Sequence, residues 1–95
     1  MEFDCSGLVQ AAYSAAGVPL PRVAQDQYDA TVHLGADEPI EAGDLLFFGV
    51  GPDDVTHVGL YVAPGQMVDP PHAGADVRVE PYGRWGDFAG VSMVQ

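Results

Sequence analysis

Cys5 is the only cysteine of the chain, and its setting bears on what its thiol can do. It follows Asp4, a side chain suited to capping a helix, and so falls in a first helical turn. There the unpaired backbone N–H groups and the helix dipole favour a negative charge and lower the cost of a thiolate. Its neighbours Asp4, Ser6 and Gly7 are polar or small, unlike the flanks of a core residue. A lone cysteine is also a serviceable small hydrophobe, so position alone leaves both roles open. His57 opens the run His57-Val58-Gly59-Leu60-Tyr61-Val62. Alternation along a strand puts His57, Gly59 and Tyr61 on one face and Val58, Leu60 and Val62 on the other. The Val58 face is expected inside, and Gly59 is expected to leave room beside the imidazole for a helix or a ligand. A hairpin through Ala63-Pro64-Gly65 would return Asp69 to the start of that strand. Its carboxylate could then accept the second ring N–H of His57, fixing the tautomer and stabilising an imidazolium. The same residues also admit plainer roles: a histidine satisfied by a backbone carbonyl, and an aspartate that accepts turn amides.

Other chemistries fit less well. His57, Asp69 and His72 would offer three metal ligands. Their spacing matches no compact ligand motif and leaves Cys5 unexplained, so no metal and no cofactor is expected. His72 competes for the orienting role but is placed in the turn after Asp69, and His33 is read as a solvated loop residue. Trp85, Tyr82 and Phe88 read as a packing cluster rather than a sugar platform.

These side chains need elements to hold them. Asp4 to Gly17 reads as a helix: Leu8, Ala11, Ala12, Ala15 and Ala16 recur at helical spacing, Asp4 suits the N-cap, and Gly17 before Pro19 is a stop signal. Val23 to Ala30 can form a brief second helix. From Gly43 onward the texture changes to short β-rich runs: Asp44–Gly49, His57–Ala63, Gln66–Asp69, Val77–Pro81 and Gly90–Val94. Leu45, Leu46, Phe47 and Phe48 read as a strand buried on both faces. Connections this short imply antiparallel pairing. The expectation is an α+β domain, with the N-terminal helix carrying the cysteine packed on a five-stranded antiparallel sheet.

With 95 residues the chain is long enough for one domain. Its 14 acidic residues against three arginines, with no lysine, give a net charge of −11. Phosphate backbones and anionic bilayers are bound through Lys and Arg, so nucleic acid and membrane surfaces are excluded as partners. No apolar run approaches the length of a membrane span, and the start lacks a signal peptide's basic and apolar regions.

The order Asp4-Cys5-Ser6-Gly7, then Gly43-Asp44-Leu45-Leu46-Phe47-Phe48, then His57-Val58-Gly59-Leu60-Tyr61-Val62 resembles the NlpC (p-sixty) family of bacterial cell-wall peptidases. Leu20-Pro21-Arg22, Gly65-Gln66-Met67-Val68 and Val77-Arg78-Val79 look like the same family. The resemblance covers nearly the whole chain. It implies a papain-like cysteine endopeptidase over residues 1–95, with Cys5 as nucleophile, His57 as general base and Asp69 at the third position of the triad. It implies a substrate too: peptidoglycan stem peptides, cut between γ-D-glutamate and a diamino acid through a thioester. In some members the residues flanking the nucleophile hold the stem's N-terminal amine, positions that are Asp4 and Ser6 here. The family works in the cell envelope or outside the cell. Its domains usually carry a Tyr-x-Trp-Gly-Gly-like segment before the nucleophile, whose tyrosine helps build the oxyanion hole. Against that pattern the chain is expected to be N-terminally truncated: a fragment, a mis-started gene product, or a domain completed by other domains or chains that supply the segment. Two alternatives follow: a non-catalytic peptidoglycan-binding or interaction module that keeps the triad, and a related amide hydrolase or acyltransferase.

Overall fold

The structure is a computed structural model that describes residues 4–35, 37–69, 77–82 and 88–94. Helices α1 (Cys5–Ala15) and α2 (Ala24–Ala30) come first. The strands follow as β1 (Val32–His33), β2 (Leu45–Gly51), β3 (Asp54–Ala63), β4 (Gln66–Asp69), β5 (Arg78–Pro81) and β6 (Phe88–Met93). They form one sheet in the order β1-β6-β2-β3-β4-β5, with every neighbouring pair antiparallel. The α+β class is as the sequence predicts, but the sheet has six strands rather than five. The extra one, β1, is two residues long and exposed, with no alternation to betray it. It includes His33, which is not merely solvated: its ring stacks on Tyr28 at 4.0 Å and its Nε2 bonds the Tyr28 carbonyl at 2.7 Å. Strands β2 to β5 form a meander, while β6 returns to pair with β2.

Helix α1 starts where Asp4 caps it, the carboxylate accepting the Gly7 N–H at 2.7 Å. It ends at Ala16 and Gly17, the latter at a φ of 83°. Its buried face runs through Ser6 and Val9, with Cys5 and Tyr13 packed against the same core. The alanines that mark the helix in the sequence point outward instead. They promote helix without supplying much area to bury, so Val9 and Tyr13 set the packing face. The Tyr13 hydroxyl anchors the helix to the Gly43 carbonyl, just before β2.

The centre of the sheet is buried on both sides along the first four residues of β2. Leu45 and Phe47 join Val9, Tyr28, Val55 and Val58 beneath the helices. Leu46 and Phe48 join Met67 and Val91 on the opposite face, where Leu34 and Ile40 from the connecting chain cover them. All four β2 side chains are buried, as a strand covered on both faces requires. His72, Trp85 and the turn after Asp69 lie outside the described residues.

Candidate active site

The site is built where the front of α1 meets β3. Contact between these two elements is the most extensive that α1 makes, and it brings Cys5 to His57.

A β-bulge aims the histidine. Phe48 pairs with His57, but Gly49 pairs with Val55, leaving Thr56 as an extra residue on β3. The bulge explains why Val55 and Val58, three apart, both enter the helix-side core, which strict alternation would forbid. Gly49 is required at the bulge, because a Cβ there would overlap the Asp54 carbonyl. On its strand His57 is buried, and its ring lies 5.8 Å from that of Phe48.

Asp69 ends β4, the strand next to β3. Its Oδ2 accepts from Nε2 of His57 at 2.6 Å, and the aspartate is wholly buried. With Nε2 so engaged, Nδ1 is the ring nitrogen left for Cys5. Gly59 does not open a ligand space beside the ring. The Met67 side chain, on β4, fills the place where a Gly59 Cβ would sit.

The electrostatics favour an ion pair. Burial works against ionisation of the Cys5 thiol. The His57 hydrogen bond, the backbone N–H of Val58, the charge on the imidazole and the Ser6 N–H together outweigh it, so the thiol pKa lies below its ordinary value. Burial likewise disfavours the His57 imidazolium, but the Asp69 hydrogen bond, followed by the interactions with Cys5, pushes its pKa up to about 9. A thiolate beside an imidazolium is the state that attacks a carbonyl and can then protonate a leaving amine.

Asp4 and Ser6 flank the nucleophile, and both are already engaged. Asp4 caps α1 through Oδ1, while Oδ2 takes Nη2 of Arg22 at 2.7 Å. The Arg22 hydrogen bond and charge hold the Asp4 carboxyl below the usual range despite some opposing desolvation. Ser6 is buried, and its Oγ accepts from Nη1 of Arg22 at 3.0 Å. An incoming ammonium would therefore meet a carboxylate already shared with a guanidinium. Gly7 makes this geometry possible, since a Cβ there would stand 2.5 Å from Asp4 Oδ1 and 3.4 Å from Arg22 Nη2.

Sequence reasoning missed two residues of this neighbourhood. Arg22 is one of three cations in a strongly acidic chain, a scarcity that was a usable signal. Gln27, fully buried on α2, donates to the Ser6 and Pro21 carbonyls. A glutamine in a short polar helix carries no such signal. Among the described residues, no cluster of His, Cys, Asp and Glu is arranged to hold a metal ion.

Comparison with known proteins gives the same family from sequence and from structure. A family model described as NlpC/P60 family matches residues 1–86. The chain is 44% identical over 87 residues to the bifunctional muramidase/DL-endopeptidase CwlT of Bacillus subtilis, an overlap covering 90% of this chain and 26% of CwlT. It superposes on the peptidoglycan hydrolase RipB of Mycobacterium tuberculosis with a TM-score of 0.83 at 39% identity, covering 97% of this chain and 45% of that one. RipD of the same organism is described as a non-catalytic NlpC/p60 domain protein adapted to peptidoglycan binding. It superposes with a TM-score of 0.80 at 34% identity, covering 98% of this chain and 67% of RipD. The chain thus spans about a quarter of the length of CwlT.

Proposed function

The chain belongs to the NlpC/P60 family, and from that membership and the geometry of its site we propose that it is a peptidoglycan endopeptidase acting through Cys5, His57 and Asp69. The observation that carries the reading is the buried Asp69–His57 bond of 2.6 Å, on an imidazole that also hydrogen-bonds the Cys5 thiol at the front of a helix. A carboxylate on the far nitrogen of a histidine whose near nitrogen faces a thiol is what orienting a general base requires. The bond cut is the one between γ-D-glutamate and a diamino acid in the stem peptide, as the family resemblance implies. That substrate assigns the chain's work to the cell envelope or the space outside the cell.

The steps follow from the charges. The Cys5 thiolate adds to the γ-carbonyl carbon, and the carbonyl oxygen takes up the negative charge. Asp4 occupies the Gly7 and Leu8 amides through its carboxylate and its carbonyl. The Cys5 N–H, ahead of them in the same turn, is the donor we assign to that oxygen. The imidazolium of His57 gives its proton to the amine nitrogen, the C–N bond breaks, and the γ-glutamyl fragment stays on sulfur as a thioester. His57, now neutral, takes a proton from water as the hydroxide attacks the thioester. The C–S bond breaks, restoring the thiolate–imidazolium pair, and the γ-carboxylic acid released gives its own proton to solvent as it ionises. Throughout, Asp69 holds Nε2, so that Nδ1 remains turned toward sulfur.

Asp4 and Ser6 are proposed to receive the N-terminal amine of the stem, with Asp4 shared between that ammonium and Arg22. A second reading is a peptidoglycan-binding module without turnover, favoured by the likeness to RipD. Mass spectrometry of defined stem peptides after incubation with the chain separates the two. A product ending at the γ-glutamyl residue supports the peptidase. Binding of the intact peptide with no new product refutes it and favours the module.

A further inference from the structure

We propose that Gln27 is a positioning residue for Cys5, closing a hydrogen-bonded ring that fixes the turn carrying the nucleophile. The inference rests on the reading of Cys5 as nucleophile, but its geometry stands apart from any substrate. The Gln27 side chain reaches from α2 with no exposed surface, and its amide nitrogen spends both hydrogens on carbonyls: Ser6 at 2.9 Å and Pro21 at 2.8 Å. The Ser6 carbonyl belongs to the same peptide unit as the Gly7 N–H, which donates to Asp4 Oδ1 at 2.7 Å. The other oxygen of Asp4 holds Arg22 at 2.7 Å. Arg22 follows Pro21 in the chain, and the Pro21 carbonyl is the second acceptor of Gln27, so the ring closes. Arg22 spans it once more through its bond to Ser6 Oγ. Cys5 lies inside this loop of contacts, between Asp4 and Ser6.

Hydrogen bonds linked through peptide units polarise one another, so each member stiffens the next. Helix ends otherwise fray. Here the first turn must hold the Cys5 sulfur against His57 and the N–H groups of Val58 and Ser6, and small errors of placement are costly in such a site. The other end of the Gln27 amide argues that the donor is what this position uses. Its Oε1 is buried with no partner among the described residues. An apolar side chain of similar size would fill the space without that orphaned acceptor.

The test compares Gln27→Met and Gln27→Glu with the unaltered chain. Three readouts are taken: thermal melting, the rate of iodoacetamide alkylation of Cys5 against pH, and kcat and KM on a stem peptide. Gln27→Met should fold, yet alkylate about tenfold more slowly at neutral pH with its rising limb displaced upward, and lose kcat rather than KM. Gln27→Glu, which sets an acceptor against two carbonyls, should show a larger loss. A folded Gln27→Met with the unaltered alkylation profile overturns the proposal, as does a change confined to KM. Failure of both variants to fold also overturns it, in favour of a purely structural residue. Alkylation needs no substrate, so absence of peptide cleavage would refute the peptidase reading while leaving this inference to stand or fall on its own.

Discussion

The Asp69 carboxylate, without any exposed surface, meets Nε2 of His57 at 2.6 Å across two neighbouring antiparallel strands. The bond orients the ring and is the largest influence holding the imidazolium charged against the cost of its burial. Replacing Asp69 by Asn keeps the shape and removes the charge. In Asp69→Asn, hydrolysis should fall on the order of 10²-fold, because a wrongly oriented base misses its proton. The alkaline limb of its pH–rate profile should also move down from about 9 toward the ordinary histidine range. An unmoved limb would mean that Asp69 does not set the charge of His57.

The ion pair fixes the shape of the pH dependence. Activity should rise with ionisation of Cys5, below the ordinary thiol range, and fall as His57 loses its proton through about 9. Stability should carry the His57 part of this with a definite sign. Its folded pKa lies above the unfolded value of about 6.5, so folding favours the protonated ring. That stabilisation is whole below about 6.5 and is lost as pH rises through about 9. Denaturant midpoints between pH 6 and 10 should show the decline in the unaltered chain and a smaller one in His57→Ala.

Gly7→Ala tests the crowding at the front of α1. The added Cβ would stand 2.5 Å from the capping oxygen of Asp4, which must give way or lose its bond. Loss of an N-cap costs about 1 kcal/mol, which lowers the melting temperature of a domain this size by roughly 4–8 °C. Alkylation of Cys5 should slow in the same variant. Unchanged melting and alkylation would show that the turn accommodates the methyl group.

Much of this arrangement was legible in the sequence, and the reason differs from piece to piece. The hairpin through Ala63-Pro64-Gly65 could be read because turn residues interrupt two β-rich runs, and it fixed where Asp69 had to return relative to His57. Burial of Leu45 to Phe48 on both faces followed from four consecutive apolar side chains. The start of β3 at Asp54 and its bulge at Thr56 carry no compositional mark, and at Gly59 the space left by one strand is taken by Met67 from the next. The return of β6 to β2 and the two-residue β1 depend on pairings between distant segments, which local pattern does not encode. Arg22 and Gln27 belong to the same class: their partners at the front of α1 lie 16 to 21 residues away in sequence, and only the tertiary fold brings them together.

Phe47 measures how far the site depends on the core beneath it. The ring is fully buried on the helix side and meets Tyr28 edge-on at 5.1 Å. Phe47→Ala should cost about 3–5 kcal/mol, a large share of the roughly 5–15 kcal/mol that stabilises a small domain. Chemical denaturation should show the midpoint collapse, with Cys5 losing its enhanced reactivity along with the fold. A loss under about 1 kcal/mol would mean that the core refills around the missing ring.

The central claim is that one thiol performs the chemistry, and having a single cysteine makes it directly testable. Hydrolysis of a stem peptide is measured against the fraction of Cys5 alkylated, read by intact mass on the same samples. The account predicts a linear fall to zero at one label per chain, with substrate protecting both the thiol and the activity. Hydrolysis that persists in the fully labelled protein, or no hydrolysis by the folded, unlabelled one, would contradict it.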